Sequence, residues 1–241
     1  MSETTLDTFL NGRVAVRQMR AGFRAGLDAV VLAAAVPSVA GDAVLELGAG
    51  AGTASVCVAA RVADCSVMGV EIDPSLASLA NDNAQANAMA PRVRFAACDV
   101  FDLPPELKRE FAHVLCNPPF HDGGEVSPDT ARDRALRDRG ELGAWMETGL
   151  KRTVSGGTFT AIVRADRMSE ALARLPGRGV SIFPLWPRQR EPAKRIILQT
   201  HKGSRAASAL LPGLVLHNAD GSYTPEADRV LRDGAPLAMS L

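Results

Sequence analysis

Short apolar segments alternate with helix-like segments through much of this 241-residue chain. Four early segments are predicted to be strands because they are brief, apolar and bounded by turn residues: 44–47, 66–72, 93–98 and 111–116. The separation between them suits helical crossovers, which connect parallel strands. The sequence therefore predicts an α/β protein with a largely parallel, buried sheet. Three later strands are predicted at 158–163, 180–185 and 195–200.

A glycine-rich turn, Glu46-Leu47-Gly48-Ala49-Gly50-Ala51-Gly52, connects the first of these strands to a helix. Glycine permits the sharp turn and lets the backbone approach a ligand closely. The third glycine comes one position earlier than in the dinucleotide-binding fingerprint, which argues against a loop around a pyrophosphate. Glu71 ends the next strand and Asp99 follows the third, so both lie where ligands bind in open α/β sheets. A cofactor with a ribose fits, because Glu71 can accept hydrogen bonds from two hydroxyls.

The tetrapeptide Asn117-Pro118-Pro119-Phe120 directly follows the fourth predicted strand. Consecutive prolines fix two φ angles and remove two backbone donors, and Asn117 is held extended by the proline after it. Such a corner presents two acceptors, the Asn117 side-chain oxygen and the Pro118 carbonyl, to one amino group, and Phe120 can stack on a base. Acceptors that pull on the protons of an exocyclic amine localise its lone pair. The motif therefore indicates methylation of an amine by positioning and electrostatics, and these four residues are the predicted catalytic set.

With these motifs the chain resembles the class I S-adenosylmethionine-dependent methyltransferases, over about residues 44–200. The resemblance implies a Rossmann-like fold: a seven-stranded, mostly parallel sheet with an antiparallel last strand and helices on both faces. It also implies that the glycine-rich turn packs against the methionine part of S-adenosyl-L-methionine, that Glu71 holds the ribose and that Asp99 binds the adenine amino group. S-adenosyl-L-homocysteine is then the product. The residues expected to bind the cofactor are Arg24, Asp28, Glu46, Gly48, Ala49, Gly50, Gly52, Glu71, Ile72, Asp99, Val100 and Asn117.

Residues 22–33, Gly-Phe-Arg-Ala-Gly-Leu-Asp-Ala-Val-Val-Leu-Ala, are similar to the N-terminal motif of the bacterial tRNA(Val) adenine methyltransferase group. The tail from Lys202 to Ala227 is similar to one branch of that group. This resemblance covers nearly the whole chain and implies N6 methylation of the adenine just 3′ of the anticodon, nucleotide 37. We expect a single methyltransferase domain over 1–241, with a cofactor-closing segment (1–40), a catalytic core (41–201) and a C-terminal extension (202–241).

Basic residues are concentrated in the second half of the chain. Residues 151–241 hold 14 Lys/Arg and 7 Asp/Glu, a net charge of +7 in a chain whose total is +0. A basic surface of this kind favours RNA, whose phosphates attract cations. The target base must be flipped or looped out, as in an anticodon loop, because a stacked amino group cannot reach the cofactor. The predicted partner is structured RNA, most simply tRNA, and the predicted substrate-binding residues are Phe120, His121, Arg188, Arg190 and Lys194.

Composition adds further expectations. Apolar residues make up 46% and charged residues 22% of the chain, which is typical of globular proteins. The four cysteines form no Cys-x-x-Cys pair and are predicted to be buried free thiols of a cytoplasmic protein, with no metal site. No stretch approaches the roughly 18 apolar residues that cross a bilayer, and the acidic N-terminus does not look like a signal peptide. A monomer is expected.

Other interpretations of the same residues stay open at this point. Guanine N2 methyltransferases of ribosomal RNA share the Asn-Pro-Pro-Phe type of motif, although they often carry a second, duplicated domain. Protein glutamine N5 methyltransferases share it as well, usually with a separate N-terminal helical domain. A non-catalytic module that kept the cofactor pocket is disfavoured by the intact tetrapeptide. The motif defines the reacting amine more closely than it defines the substrate.

Overall fold

The computed structural model describes residues 3–119 and 142–240. Its strands are β1 (Thr4–Phe9), β2 (Val14–Met19), β3 (Ala43–Leu47), β4 (Ser66–Glu71), β5 (Val93–Ala97), β6 (Phe111–Cys116), β7 (Thr153–Arg164), β8 (Val180–Arg188), β9 (Arg195–His201), β10 (Ala209–Leu210) and β11 (Leu214–His217). Its helices are α1 (Leu27–Ala35), α2 (Thr53–Arg61), α3 (Pro74–Ala86), α4 (Leu142–Arg152), α5 (Met168–Leu172) and α6 (Pro225–Asp233). The four early strands predicted from the sequence are β3 to β6, and each ends within one residue of its prediction.

One large sheet organises these elements, in the order β10-β8-β9-β7-β6-β3-β4-β5, with β11 also paired to β8. Strands β5, β4, β3, β6 and β7 are mutually parallel, and β9 runs antiparallel to both β7 and β8. The predicted α/β class, the parallel core and the antiparallel seventh strand are confirmed. The sheet has nine strands because two short strands, β10 and β11, extend it beyond β8, and the sequence analysis did not predict them.

Hydrophobic clusters cover both faces of this sheet. Side chains alternate along each strand, so Val44 packs on one face and Leu45 on the other. The first face is covered by α1, α2, α3 and α6, whereas α4 and α5 supply apolar residues to the second. Among the described helices, none is long and apolar enough to cross a bilayer. All four cysteines are free, and three of them are buried as expected.

The start of α3 is fixed by a side-chain cap and a proline. Asp73 caps the helix, because its side chain accepts a hydrogen bond from the Ser75 amide at 2.8 Å. Pro74 occupies the first turn, where its missing N–H costs nothing. This cap fixes the direction in which the chain leaves β4, immediately after Glu71.

An N-terminal hairpin lies outside the large sheet and was not predicted. β1 and β2 pair only with each other, in antiparallel register from Thr4↔Met19 to Phe9↔Val14. The connection contains Asn11 and Gly12, both with positive φ, which is the dipeptide most typical of tight hairpins. The expected cofactor-closing segment therefore consists of this hairpin followed by α1.

Two asparagines of α3 hold the hairpin in place. Asn87 accepts a hydrogen bond from the Ala15 amide and donates one to the Ala15 carbonyl, at 2.9 and 2.7 Å. Asn83, one helical turn earlier, does the same for Arg17, at 2.8 and 2.9 Å. The Asn83 amide nitrogen also donates to the carbonyl of Ala51 at 2.9 Å, so a single side chain connects the hairpin to the glycine-rich turn.

We expect Asn83→Ala to lower the free energy of unfolding by about 3 kcal/mol, because it leaves partly buried backbone groups of Arg17 and Ala51 without their partner. Asn83 is 1% exposed, so water cannot replace the amide without rearrangement. Urea denaturation measures the effect. Gln85→Ala is the matched control, since Gln85 is exposed on the same helix and should change stability by less than about 0.5 kcal/mol. Equal losses in the two variants would contradict this role of Asn83.

Candidate active site

The register of the parallel strands brings the sequence motifs to one edge of the sheet. Leu47, the last residue of β3, lies opposite Val70 on one side and Cys116 on the other. Glu71 in turn lies opposite Ala97. The carboxyl ends of β5, β4, β3 and β6 therefore lie side by side at one edge of the sheet, as the sequence predicted. This edge carries the glycine-rich turn, Glu71, Asp99 and Asn117.

The glycine-rich turn is closed by its own backbone and by Glu71. The amides of Gly48 and Ala49 both donate to the Val70 carbonyl at 2.9 Å, and the Gly50 amide donates to Glu71 Oε2 at 2.9 Å. Gly50 and Gly52 both have positive φ, but their surroundings differ. A Cβ on Gly50 would meet nothing within 4 Å, whereas one on Gly52 would lie 2.5 Å from the ring of Phe95. Gly52 thus allows helix–sheet packing, and Gly50 faces open space.

The two acidic side chains beyond the turn are held by backbone amides. Glu71 is 8% exposed, and its second carboxylate oxygen accepts a hydrogen bond from the Asp73 amide at 3.0 Å. Asp99 accepts one from the Phe101 amide at 2.9 Å. The residues that follow them in the chain differ in exposure, since Ile72, after Glu71, is partly exposed and Val100, after Asp99, is buried. Both carboxylates are therefore preoriented before any ligand is present.

Glu46 is buried one residue before the end of β3, behind the glycine-rich turn. It is 4% exposed, and Oε2 accepts hydrogen bonds from both the amide, at 2.9 Å, and the hydroxyl of Ser55. Burial raises the pKa of Glu46 to about 7, the hydrogen bonds from Ser55 partly oppose this, and the charge of Glu71 adds to it. Glu46 therefore ties β3 to the first turn of α2 and titrates near neutral pH.

The Asn-Pro-Pro corner follows β6 at the same edge. Pro118 is buried and Pro119 is exposed. The side-chain oxygen Oδ1 of Asn117 is buried and has no hydrogen-bond partner among the described residues. A buried acceptor without a partner is costly, so this oxygen calls for a donor that the described residues do not supply. The other two predicted substrate residues of this segment, Phe120 and His121, lie outside the described residues.

Trp145 on α4 also belongs to this edge, and the sequence analysis did not single it out. Its ring lies against the glycine-rich turn, since a Cβ on Gly48 would come within 2.8 Å of it. It packs edge-on against Phe101, two residues after Asp99, with ring centroids 5.7 Å apart. Trp145 is 7% exposed, and its indole N–H has no partner among the described residues. Nothing in the local sequence places Trp145 here, because α4 is brought to the turn only by folding.

The structure pairs two other predicted cofactor residues with side chains of the protein itself. Arg24 pairs with Asp7 and donates to Thr5 Oγ1, so it connects the start of α1 to the hairpin. Asp28 accepts a hydrogen bond from Arg195 Nε at 3.1 Å, which ties α1 to the first residue of β9. In this structure both side chains connect elements around the edge, and their contact with a cofactor stays a prediction.

Three predicted substrate residues cluster on the connection between β8 and β9. Arg188 ends β8, and Arg190 and Lys194 lie in the turn that follows. All three side chains are exposed. Because β8 is parallel to β7, this turn projects from the same edge of the sheet as the Asn-Pro-Pro corner.

Comparison with known proteins identifies the family. The model of the family described as "Methyltransferase small domain" matches residues 25–145, half of the chain. The chain belongs to this methyltransferase family. The predicted class I S-adenosylmethionine-dependent methyltransferase is thereby confirmed.

Individual relatives agree with this assignment. A protein of Shewanella amazonensis named tRNA1(Val) (adenine(37)-N6)-methyltransferase is 35% identical over 122 residues, which is 51% of this chain and 52% of that protein. A protein of the same name from Yersinia pestis is 26% identical over 221 residues, covering 89% of this chain and 88% of that protein. The crystal structure of a predicted O-methyltransferase from Agrobacterium tumefaciens superposes with a TM-score of 0.73 at 27% identity, covering 88% of this chain and 99% of that one.

The residues at the edge fit S-adenosylmethionine, the cofactor of this methyltransferase. The open space beside Gly50 leaves room for a ligand against the backbone of the turn. The fixed carboxylate of Glu71 offers acceptors for ribose hydroxyls, and Asp99 lies just after the neighbouring strand, β5. Buried Thr53 Oγ1, in the first turn of α2, also has no partner among the described residues. The acceptors and the open backbone of the turn thus lie at one edge of the sheet.

Substituting two glycines of the turn separates cofactor binding from stability. Gly50→Ala directs a methyl group into the open space, so we expect S-adenosylhomocysteine affinity to fall at least tenfold, measured by calorimetry, with a small loss of stability. Gly52→Ala collides with Phe95, so we expect a loss of stability of about 2 kcal/mol or more. Gly41→Ala is the control for backbone strain alone, since Gly41 also has positive φ and open surroundings but precedes β3 at the opposite edge. Unchanged affinity in Gly50→Ala would contradict the assigned cradle.

Replacing Glu46 should change how stability depends on pH. Because the pKa of Glu46 is about 7 in the folded chain against an ordinary value of 4.5, the folded chain retains a proton that the unfolded chain has lost between these values. Stability therefore falls as pH rises from 4.5 to 7 and stays lower above pH 7. We expect Glu46→Gln to remove this slope and to be more stable than the wild type at pH 8 by up to about 3 kcal/mol. Parallel urea curves from pH 5 to pH 8 for both proteins would contradict the burial argument.

Proposed function

We propose that this protein transfers a methyl group from S-adenosylmethionine to the exocyclic N6 of adenine in tRNA, at nucleotide 37 beside the anticodon. The two relatives named above carry this activity in their names, and one of them aligns over most of both chains. A tRNA substrate is consistent with a cytoplasmic enzyme. The observation on which the proposal rests most is the buried Oδ1 of Asn117, which lies at the edge beside the glycine-rich turn and has no hydrogen-bond partner in the part of the chain that the structure describes.

The chemistry of the Asn-Pro-Pro corner suits an aromatic amine. The lone pair of such a nitrogen is delocalised into the ring, so the amine is a weak nucleophile. Asn117 Oδ1 and the Pro118 carbonyl can accept its two protons, which favours a pyramidal nitrogen with a localised lone pair. Pro118 and Pro119 have no N–H groups, so these two residues add no competing backbone donors beside the acceptors. The acceptors are preorganised, and this form of catalysis needs no strong base.

The cofactor supplies an activated methyl group on a sulfonium when it is bound. The chain's own part is to hold and orient the reactants. Glu71 and Asp99 are fixed by backbone amides, and the ring of Trp145 packs against Gly48. Asn117 leaves β6 beside Gly48, because Leu47 and Cys116 are paired across the two strands. Amine and methyl donor would therefore be placed next to each other, which is the main source of rate in such a transfer.

An RNA substrate suits the charge on this side of the molecule. The net charge of +7 over residues 151–241 includes Arg188, Arg190 and Lys194, which are exposed at the edge where Asn117 lies. Exposed cations attract phosphates and position the nucleic acid without selecting its sequence. A base in an anticodon loop is unpaired, so the cost of turning it into a pocket is low.

We expect Asn117→Ala to lower kcat for methyl transfer to tRNA by roughly 100-fold or more, because one preorganised acceptor is lost. Asn117→Asp retains oxygen acceptors at the same position and should keep more activity than Asn117→Ala. Because Asn117 is also an expected cofactor residue, kcat is compared at saturating S-adenosylmethionine. The assay uses labelled S-adenosylmethionine and unmodified tRNA, followed by digestion and identification of the labelled nucleoside.

The identity of the product decides between the alternatives. Label in N6-methyladenosine, lost when nucleotide 37 is changed to guanosine, supports the proposal. Label in N2-methylguanosine, in a ribose 2′-O-methyl group or in protein would retain methyl transfer but contradict this substrate. Equal kcat for Asn117→Ala and the wild type would contradict the assigned role of the corner.

A further inference from the structure

A groove runs along the last strands of the sheet, outside the cofactor site. One cavity of about 440 Å³ and a second of about 570 Å³ share three lining residues, Gln189, Glu191 and Val215, and so form one continuous depression. It lies between the β8–β9 connection on one side and β11 with the turn after it on the other. We call it the C-terminal groove and define it by Trp186, Gln189, Arg190, Glu191, Val215 and His217.

The walls of this groove are rigid and aromatic. The indole N–H of Trp186 donates to the Pro212 carbonyl at 3.1 Å, which fixes the ring. His217 stacks on Tyr223 with centroids 5.0 Å apart, and the two residues also form a β-bridge. The turn between them is closed by a hydrogen bond from the Asn218 amide to the Ser222 carbonyl at 2.8 Å. Trp186 and His217 line the groove, and Tyr223 supports His217 through the stack.

The polar groups of the groove suit a nucleotide. Arg190 and Lys194 have no acidic partner among the described residues, so their charges are available to phosphates. Arg188 is paired with Glu191 at 3.4 Å in an exposed ion pair, which is weak. The ring nitrogen Nδ1 of His217 is buried and has no partner among the described residues. Gln189 and Glu191 can bond the edge of a base, and flat rings beside cations are the usual elements of single-strand binding.

The position of the groove relates it to the catalytic corner. β11 pairs with β8 so that His217 lies opposite Arg188, and both strands end at the carboxyl edge. Four strand spacings separate β6 from β11, which is roughly 19 Å at the usual distance between strands. A short run of unpaired nucleotides can bridge that separation.

We propose that the C-terminal groove binds an unpaired nucleotide of the RNA substrate, a few nucleotides away from the one that is methylated. This inference rests on the proposed RNA substrate and adds a second point of contact on the same strand. The base stacks against the aromatic wall, and Arg190 and Lys194 hold the backbone. The C-terminal extension thereby becomes part of substrate selection.

Arg190→Gly tests the groove without disturbing the fold, because Arg190 has a φ of 67°, which glycine adopts freely. We expect the KM for tRNA to rise at least tenfold when Arg190→Gly is combined with His217→Phe, which keeps the stack on Tyr223 but removes Nδ1. The kcat at saturating tRNA and the affinity for S-adenosylhomocysteine should not change. For Arg190→Gly alone, the slope of log affinity against log salt should become shallower by about 0.7 to 0.9.

Matched controls come from the same part of the chain. Arg232→Ala removes an exposed, ion-paired arginine of α6, and His201→Ala removes an exposed histidine at the opposite edge. Neither should change the KM. Ultraviolet cross-linking of the wild type to tRNA should label peptides that contain residues 186–192 or 215–218.

The outcomes separate this inference from the proposed function. If the wild type methylates tRNA but the double variant keeps its KM within twofold, or the cross-links map elsewhere, the groove proposal is overturned and the proposed function stands. If the wild type methylates no RNA, both are overturned. A groove occupied by a second copy of the chain would appear as a dimer in sedimentation that Arg190→Gly dissociates, with an unchanged KM, and this result also contradicts RNA binding.

Discussion

The parallel register of β3 with its two neighbours is the constraint on which the site depends. Leu47 is paired at once with Val70 and Cys116, so the chain segments after β3, β4 and β6 emerge side by side. One of these segments carries the glycine-rich turn, another Glu71 and the third the Asn-Pro-Pro corner. A shift of two residues in the pairing of β3 with β4 would move the Glu71 carboxylate away from the turn by about 7 Å. The same shift in the pairing of β3 with β6 would move the Asn117 side chain by the same distance. The hydrophobic packing of alternate residues on both faces of the sheet makes such a shift costly.

Several polar groups are kept in apolar surroundings at this edge, and they divide into two kinds. Glu46 and Glu71 are satisfied within the protein, by Ser55 and by the amides of Gly50 and Asp73. Asn117 Oδ1 and Trp145 Nε1 are not satisfied among the described residues. The hydrogen bonds of Glu46 and Glu71 stiffen the turn. The polar groups without a partner among the described residues are available to hydrogen-bond a ligand. A methyltransferase that works by positioning needs both, since a preformed site loses little order when the reactants bind.

Much of the parallel core could be predicted because its signals are local. Strands β3 to β6 are short apolar runs, Asp73-Pro74 marks a helix start, and the motif residues stand at strand ends. The N-terminal hairpin was missed although Asn11-Gly12 is a strong hairpin signal, because the segment before β3 was assigned only through the motif at residues 22–33. β10 and β11 are too short to show a period, and they exist because the edge of β8 was available for pairing.

Long-range contacts account for the rest. Trp145 reaches Gly48 from nearly a hundred residues away, and Asn83 reaches Arg17 and Ala51 across two layers. Arg24 and Asp28 were expected at the cofactor from their motif, whereas the structure pairs them with Asp7 and Arg195. Spacing in a sequence predicts which edge a residue occupies but not which partner its side chain finds there.

We propose that Asn117 presents its side-chain oxygen to the amine that is methylated. A crystal structure of the protein with S-adenosylhomocysteine and an anticodon stem-loop containing adenosine 37 would show this contact. We expect the adenine N6 within hydrogen-bond distance of Asn117 Oδ1 and the Pro118 carbonyl, with the base turned out of the loop. A structure in which Asn117 Oδ1 bonds to another protein group and the adenine amine lies elsewhere would contradict it.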